Sequence, residues 1–318
     1  MRKFLFVSFA IFMMQESVQA LEPVRLSVAN LNVTFLAAGV AQKKGFFKEV
    51  GLETEVIRMA PPTSIMALSS GDIGYTMGVG SVTRAAISGL PLKVIAGFVD
   101  GSAHAIVARP EFKSVKELKG RALGVGAYGS ADHVVALMML QHFGIDTDRE
   151  IKVVALGADR ARLAALKQQL VQAIVVSPPT DVEGKRMGFN LLTRANELFS
   201  FPIAGLGTTV KRIEERPDEV KRLIKSLIKA NRFIRDNRDE AIQILAEWSR
   251  TDRESSIASY DSSVKAFSLD GSIPGDGFRL IIHQAKKDAK ITRDISLSEV
   301  SDFTILREAQ RELGVKAR

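Results

Sequence analysis

The chain has 318 residues, a formal net charge of +8 and a hydrophobic fraction of 46%. This length exceeds one ordinary hydrophobic core, so we expect two lobes, and the apolar content excludes a disordered chain. The absence of cysteine excludes disulfides and a thiol that could carry a lipid anchor. Basic residues are spread along the chain without interleaved aromatics, so we expect no nucleic-acid partner.

The first twenty residues are typical of a secretory signal peptide. Arg2 and Lys3 give a charged start, residues 4–14 are apolar, and Val18-Gln19-Ala20 resembles a signal-peptidase site. The apolar stretch is short for a membrane-spanning helix, which needs roughly 20 residues, although an uncleaved anchor is the alternative. We therefore expect cleavage after Ala20 and a mature protein in a bacterial periplasm.

Strands and helices alternate through the first part of the chain. Strands are predicted at 26–31, 53–58, after Gly71, at 92–99 and at 104–108, with helices between the first of them. This order favours a mostly parallel sheet covered by helices on both faces.

A second run of the same kind begins near residue 110. The polar segment that starts at Arg109-Pro110 is interpreted as a crossing between lobes, and residues 199–209 as the return. Between them the pattern predicts strands and helices of a second sheet, and after Pro217 it predicts helices at 217–237, 239–249, 253–267, 278–290 and 298–313. We expect one lobe from residues 21–109 and 205–318, and the other from 110–204.

Two strand-turn-helix segments, at 71–81 and 122–132, share a glycine-rich turn followed by a serine. Glycine lets the backbone approach a bound group closely, and Ser81 or Ser130 could cap a helix whose first N–H groups have no internal partner. Free N–H groups and the helix dipole suit an anionic or strongly polar ligand. An ordinary strand-to-helix connection is the alternative for each turn.

Three segments, in this order after a signal peptide, resemble the periplasmic substrate-binding components of ABC importers. They are KGFFKEVGL at 44–52, ALSSGDIG at 67–74 and SVKELKG at 114–120. The subgroup is the SsuA/THI5-like, or NMT1-like, family, which is related to sulfonate-, taurine-, nitrate- and thiamine-precursor-binding proteins. The resemblance implies an α/β, two-lobed type II periplasmic binding fold with two hinge crossings and a ligand in the cleft.

The same resemblance implies that four loops contact the ligand. On this chain they carry over as Asn30, Asn32, Thr34 and Phe35 in the first loop, Gly80 and Ser81 in the second, Gly129, Ser130 and Ala131 in the third, and Ser177 with Asp181 in the fourth. Phe35 is equally suited to the core, and the two asparagines to capping a helix or turning the backbone.

The loops depart from an anion site in one respect. No lysine or arginine within them points plainly at a ligand, and Asp132 lies just inside the second helix. Asp132 is either an ordinary first-turn acid that complements the helix dipole or a cleft residue that opposes an anion and favours a neutral or amine-bearing ligand. The resemblance therefore does not by itself imply that this chain binds sulfonates.

The function expected from these features is capture of a small polar or anionic organic molecule and its delivery to the transmembrane subunits of an ABC permease, by a monomer. A periplasmic sensor with the same site is one alternative. A biosynthetic enzyme like the relatives that form a thiamine pyrimidine or process menaquinone precursors is another. Without cysteine, and with histidines only at His104, His133, His142 and His283, which lack metal-ligand spacing, we expect no enzyme, cofactor or metal.

Overall fold

The computed structural model describes residues 20–199 and 201–315, so that the expected signal peptide lies outside it except for Ala20. The described residues form ten strands: β1 (Glu22–Val28), β2 (Leu52–Arg58), β3 (Tyr75–Thr76), β4 (Leu92–Val99), β5 (Ala105–Ala108), β6 (Ala122–Val125), β7 (Lys152–Ala155), β8 (Ala173–Val176), β9 (Asn190–Arg194) and β10 (Ala204–Thr209).

Helices cover both sheets and make up most of the C-terminal third. They are α1 (Leu36–Lys43), α2 (Phe46–Glu49), α3 (Pro61–Ser70), α4 (Val79–Ile87), α5 (Ala131–His142), α6 (Asp159–Lys167), α7 (Thr180–Arg186), α8 (Val210–Glu215), α9 (Pro217–Asp236), α10 (Arg238–Ser249), α11 (Arg253–Ser263), α12 (Gly275–Asp288), α13 (Leu297–Val300) and α14 (Thr304–Glu312).

The strands form two five-stranded sheets with equivalent topology. The first sheet has the order β2-β1-β3-β10-β4 and the second β7-β6-β8-β5-β9. In the first sheet β10 is antiparallel to both neighbours, and in the second β5 is, while the other four strands of each sheet share one direction. The expected α/β fold with mostly parallel sheets is confirmed. The reversed strand in each sheet is the first strand that the chain forms after it crosses from the other sheet.

The chain passes from the first sheet to the second between Val99 and Ala105, and it returns between Arg194 and Ala204. We call the first sheet with its helices lobe 1 and the second sheet with α5, α6 and α7 lobe 2. Strand β5, which we expected in the first lobe, pairs with β8 and β9. Because Ala-Ile-Val-Ala is equally apolar in either sheet, its residues do not indicate which one it joins, and the Arg109-Pro110 turn that follows was mistaken for the crossing.

Helix α9 shows how lobe 1 is held together. Its apolar face is buried against α1, α2 and α14. Its basic face forms ion pairs with neighbouring elements, including Lys225 Nζ to Glu312 at 2.8 Å and Lys221 Nζ to Glu312 at 3.0 Å. These lysines are thus tied to α14. No helix within residues 20–199 and 201–315 has the length and apolar content needed to cross a membrane.

The helix predicted at 298–313 is divided in the structure. Helix α13 ends at Val300, and the next residue, Ser301, forms an isolated β-bridge with Val94 of β4 before α14 starts at Thr304. The prediction was wrong here because the edge strand β4 offers backbone hydrogen bonds that a local helical pattern cannot reveal.

Two glycines in lobe 1 test this packing. An ideal Cβ on Gly205 of β10 would lie 2.2 Å from the Ala96 carbonyl oxygen and 2.6 Å from Val79 Cγ2, whereas a Cβ on Gly80 of α4 meets nothing within 4 Å. We expect Gly205→Ala to lower the free energy of unfolding by about 2 kcal/mol, because β10 must shift away from β4 and α4. Gly80→Ala, the matched control, should stay within about 0.5 kcal/mol of the parent. Urea denaturation measures both, and equal stabilities of the two variants would contradict the packing described.

Candidate functional site

A cavity of about 270 Å³ lies between the two lobes. Its lining comes from the loops that follow β1, β2 and β3 in lobe 1, from the loops that follow β6 and β7 in lobe 2, and from the two crossings, through His104 and Ile203. Phe35, Met59, Pro61 and Ile203 supply apolar walls. The carboxyl ends of parallel strands therefore face each other across the space, which is where α/β sheets place ligands.

Asn32 links the first loop to the opposite lobe. Its side-chain oxygen accepts the Thr34 backbone N–H at 3.1 Å, which caps the short 3₁₀ turn that leads into α1. Its Nδ2 donates to Ser177 Oγ at 2.6 Å and to Asp159 Oδ2 at 3.2 Å. Asn32 thus has its oxygen and its amide hydrogens occupied by protein groups from both lobes.

The first glycine-rich turn presents free donors to the cavity. Helix α4 begins at Val79, with Gly78 in the N-cap position, so Ser81 lies inside the first turn and is not the expected cap. Within the described residues, the backbone N–H groups of Val79, Gly80 and Ser81 have no acceptor, and neither has the Ser81 hydroxyl. Gly80 and Ser81 line the cavity. The start of α4 therefore offers hydrogen-bond donors and the positive end of a helix dipole.

The second glycine-rich turn differs in the turn itself, where three backbone N–H groups are already bonded. Gly126 N–H donates to Asp132 Oδ2, Gly129 N–H to His133 Nδ1 at 2.9 Å, and Ser130 N–H to the Ala127 carbonyl at 3.1 Å. Ser130 occupies the N-cap position of α5, but its hydroxyl contacts Ala127 O and Asp132 instead of a helix N–H. Within the described residues the N–H groups of Ala131, Asp132 and His133 have no acceptor, so the start of α5 offers donors as the start of α4 does, although neither serine caps its helix.

A buried arginine lies behind the second turn. Arg162 of α6 keeps only 1% of its side chain exposed and forms ion pairs with Asp132, at 2.7 Å, and with Asp159. Asp159 also accepts hydrogen bonds from Asn32 and from Ser177, the latter at 2.6 Å, so all its contacts come from donors and it is a carboxylate. Two carboxylates against one guanidinium leave one excess negative charge beside the cavity.

Asp132 is the carboxylate of this cluster that reaches the cavity. Both Asp132 and Arg162 line it, and 11% of the Asp132 side chain is exposed. Burial opposes the ionisation of Asp132, but the Arg162 charge and the hydrogen bonds from Ser130 and Gly126 hold its pKa below the usual value. Asp132 is thus both an acid in the first turn of α5 and a residue of the cavity lining. The two alternatives that the sequence left open therefore both apply.

His104 lines the cavity from the first crossing. Its Nδ1 lies 2.9 Å from Ser102 Oγ, which also accepts the His104 backbone N–H at 3.3 Å. The Ser102 hydroxyl hydrogen has no other acceptor in the described part of the chain, so it donates to Nδ1 and leaves the ring hydrogen on Nε2. Burial lowers the pKa of His104 to about 4, so the ring is neutral at neutral pH. His104 therefore presents a neutral N–H donor.

Eight of the eleven predicted site residues line the cavity: Asn30, Asn32, Thr34, Phe35, Gly80, Ser81, Ser130 and Ala131. Gly129 does not line it, and its carbonyl accepts from Arg84 at 2.5 Å across the lobes. Ser177 is fully buried beneath Asn32 and Asp159. Asp181 is also fully buried and forms an ion pair with Arg194 away from the cavity. Burial raises the pKa of Asp181 above its ordinary value, although Arg194 opposes the rise.

The sequence did not indicate Arg162, Asp159 or Arg58 as site residues, and His104 was considered only as a metal ligand. Arg162 and Asp159 lie three residues apart in an unremarkable amphipathic helix, and only the fold brings them to Asp132. Arg58 is exposed at the cavity edge, at the end of β2, and has no acidic partner within residues 20–199 and 201–315. The available signal was position: Arg58 ends β2, and Asp159 and Arg162 lie in the first turn of the helix after β7.

The lobes contact each other on both sides of the cavity. On one side Arg84 of α4 donates to Gly129, as described above. On the other side Arg160 of α6 donates to the Arg250 carbonyl at 2.9 Å, and Arg186 of α7 pairs with Asp252 at 3.0 Å. The structure is thus a closed arrangement of the two lobes.

A profile of the NMT1/THI5 like family matches residues 32–241. The chain belongs to this family. A binding protein of Brucella abortus is 27% identical over 239 residues, which are 73% of this chain and 73% of that protein. Among solved structures, the nitrate-binding protein NrtA from Synechocystis PCC 6803 has a TM-score of 0.81 at 15% identity, with 93% of this chain and 90% of that chain covered.

The aliphatic sulphonate binding protein SsuA from Escherichia coli has a TM-score of 0.73 at 16% identity, with 89% and 93% covered. These likenesses confirm the expected two-lobed periplasmic binding fold. The desulfurization enzyme DSZB shares it too, with a TM-score of 0.66 at 13% identity over 92% of this chain and 99% of that chain. The fold is therefore common to binding proteins and an enzyme, and the function must be argued from the residues of the site.

The burial of His104 predicts how the free energy of unfolding depends on pH. The unfolded chain takes up a proton on this ring below about pH 6.5, whereas the folded protein resists protonation until about pH 4. Acidification therefore favours the unfolded state, and between pH 7 and pH 5 we expect His104 to account for about 2 kcal/mol of lost stability. In urea denaturation at both pH values, His104→Gln should lose that much less than the parent.

His283→Gln is the matched control, since His283 is exposed on α12 and its hydration changes little on folding. It should follow the parent. An unchanged pH dependence in His104→Gln would contradict the buried, neutral ring.

Proposed function

We propose that the mature protein is a periplasmic solute-binding protein that captures a small polar organic molecule in the interlobe cavity and delivers it to the transmembrane subunits of an ABC permease. The observation that carries the proposal is the cavity itself, which is formed by both lobes and has unpaired donors at the start of α4. Membership of the NMT1/THI5 like family and the likeness to nitrate- and sulfonate-binding proteins support it.

Binding works through closure of the lobes. A ligand that contacts α4 on lobe 1 and Asp132 on lobe 2 can touch both only in the closed arrangement, so it stabilises that arrangement by its differential affinity. The contacts of Arg84 with Gly129 and of Arg160 with Arg250 also form only when the lobes meet. A permease can then distinguish the loaded protein from the open one by its shape.

The residues of the cavity support binding without chemistry. The chain has no cysteine, and no group of His, Asp and Glu within the described residues could hold a metal ion. Asp132 is committed to Arg162, Ser130 and Gly126, and His104 is held neutral, so neither is free to act as a strong base or nucleophile. A sensor with the same site differs only in its partner, and adjacent genes for a permease and an ATPase would favour transport.

Ligand capture is tested by a thermal-shift screen of the mature protein against a small-metabolite library. A compound at about 100 times its dissociation constant adds roughly 2.7 kcal/mol, which for a chain of this size raises the Tm by about 5 °C. Mass spectrometry of the recovered compound should show it unaltered. No shift with any compound, or turnover of a bound one, would contradict the proposal.

Gly80 allows the site to be blocked with little effect on the fold, because a side chain there starts in open space. We expect Gly80→Trp to fill the cavity and reduce the Tm shift by any hit to below 1 °C, while the unliganded Tm stays near that of the parent. Gly80→Ala is the control and should retain the shift. An unchanged shift in Gly80→Trp would place the ligand elsewhere.

A further inference from the structure

The two walls of the cavity differ in charge, because among the described residues only the lobe 2 wall carries a carboxylate. The lobe 1 wall has the free N–H groups at the start of α4, which attract an acceptor or a negatively charged group. The lobe 2 wall has N–H groups without an acceptor at the start of α5 as well, but it also carries the Asp132 carboxylate, in a cluster with one excess negative charge. A ligand that bridges the lobes must match both walls.

We propose that the ligand presents a nitrogen-bound hydrogen, as an amine, amidinium or amide group, to Asp132, and an acceptor group to the start of α4. The inference rests on the proposed function, because it names the chemical class that the same cavity takes. A ligand that carries only negative charge, such as an inorganic anion or an unsubstituted alkylsulfonate, has no donor for the Asp132 carboxylate and is repelled by its charge.

Hydrogen-bond capacity supports the assignment of Asp132. Its Oδ2 receives Arg162 and the Gly126 N–H, whereas Oδ1 receives only the Ser130 hydroxyl. A carboxylate oxygen can accept two hydrogen bonds, so Oδ1 keeps capacity for one more donor. Within the described residues no protein group supplies that donor, although the side chain faces the cavity.

Charge supports the same conclusion. Arg162 is the only cation of the cluster, and both of its terminal nitrogens are bonded to protein, to Asp132, Asp159 and the Gly157 carbonyl. Its Nε has no hydrogen-bond partner within the described residues, but this atom is buried and does not reach the cavity surface. The other cation at the cavity, Arg58, is exposed at the edge, where solvent weakens its field. An anion placed against the Asp132 carboxylate would be repelled by the like charge at close range.

The test uses matched probes that differ in one group. They are β-alanine and propionate, then benzamidine, benzamide and benzoate, with sodium nitrate as the inorganic anion, each titrated into the mature protein by calorimetry at low and at physiological salt. We expect the compounds with N–H groups to bind at least tenfold more tightly than their matched anions. Tighter or equal binding of propionate, benzoate or nitrate would overturn the inference.

A second arm identifies the natural class without choosing probes. The protein is incubated with yeast extract, separated from unbound solutes and denatured, and the released compounds are identified by mass spectrometry. A retained compound with an N–H group and an acceptor supports the inference, and a purely anionic one overturns it while leaving the proposed function intact. Retention of nothing, together with no probe binding, would overturn the proposed function and the inference with it.

A substitution tests whether Asp132 causes the preference for ligands with N–H groups. Asp132→Asn keeps the shape of the side chain but removes its charge and one acceptor, so the preferred probe should bind at least tenfold more weakly, and benzoate should gain affinity relative to benzamidine. Asp72→Asn makes the same charge change at an exposed site of lobe 1 and should leave both affinities unchanged. The Tm of each variant reports whether it is folded. If Asp132→Asn does not fold, the comparison of matched probes on the parent still decides the inference.

Discussion

The structure depends most on the ion pairs of one buried arginine. Arg162 joins the turn after β6, through Asp132, to the start of α6, through Asp159, and Asp159 in turn contacts Ser177 and Asn32. A single guanidinium therefore sets the shape of the lobe 2 wall and, through Asn32, one of the contacts between lobes. Removal of one partner from such a cluster typically costs 3–5 kcal/mol, because a buried charge is left unpaired.

This cluster also explains why the two glycine-rich turns are not equivalent. In both, a short turn joins a strand to a helix whose first N–H groups have no acceptor within the described residues, but the second helix also carries an aspartate that lines the cavity. The cavity therefore has donors on both walls and a carboxylate acceptor on the lobe 2 wall. The likeness to nitrate- and sulfonate-binding proteins is a likeness of fold, so the ligand of this chain must be argued from the side chains behind the turns.

The fold and the position of the site could be predicted from the sequence to a large extent. The alternation of apolar strands with helices, the glycine-rich turns and three family-like segments were enough for the two-lobed α/β architecture and for eight residues of the cavity lining. The sheet that contains β5 could not be predicted, because its four apolar residues fit either sheet. The role of Arg162 could not be predicted either, since its partners lie three and thirty positions away and only the packing of α6 against the turn brings Asp132 within reach.

The account's central claim is that one ligand contacts both walls at once. The most direct measurement is a crystal structure of the mature protein with a bound compound from the library screen or from the yeast extract. The account predicts the ligand between the lobes, with an acceptor within about 3 Å of the backbone nitrogens of residues 79–81 and a donor within the same distance of the Asp132 carboxylate. A ligand bound outside this cavity, or one whose negatively charged group lies against Asp132, would contradict it.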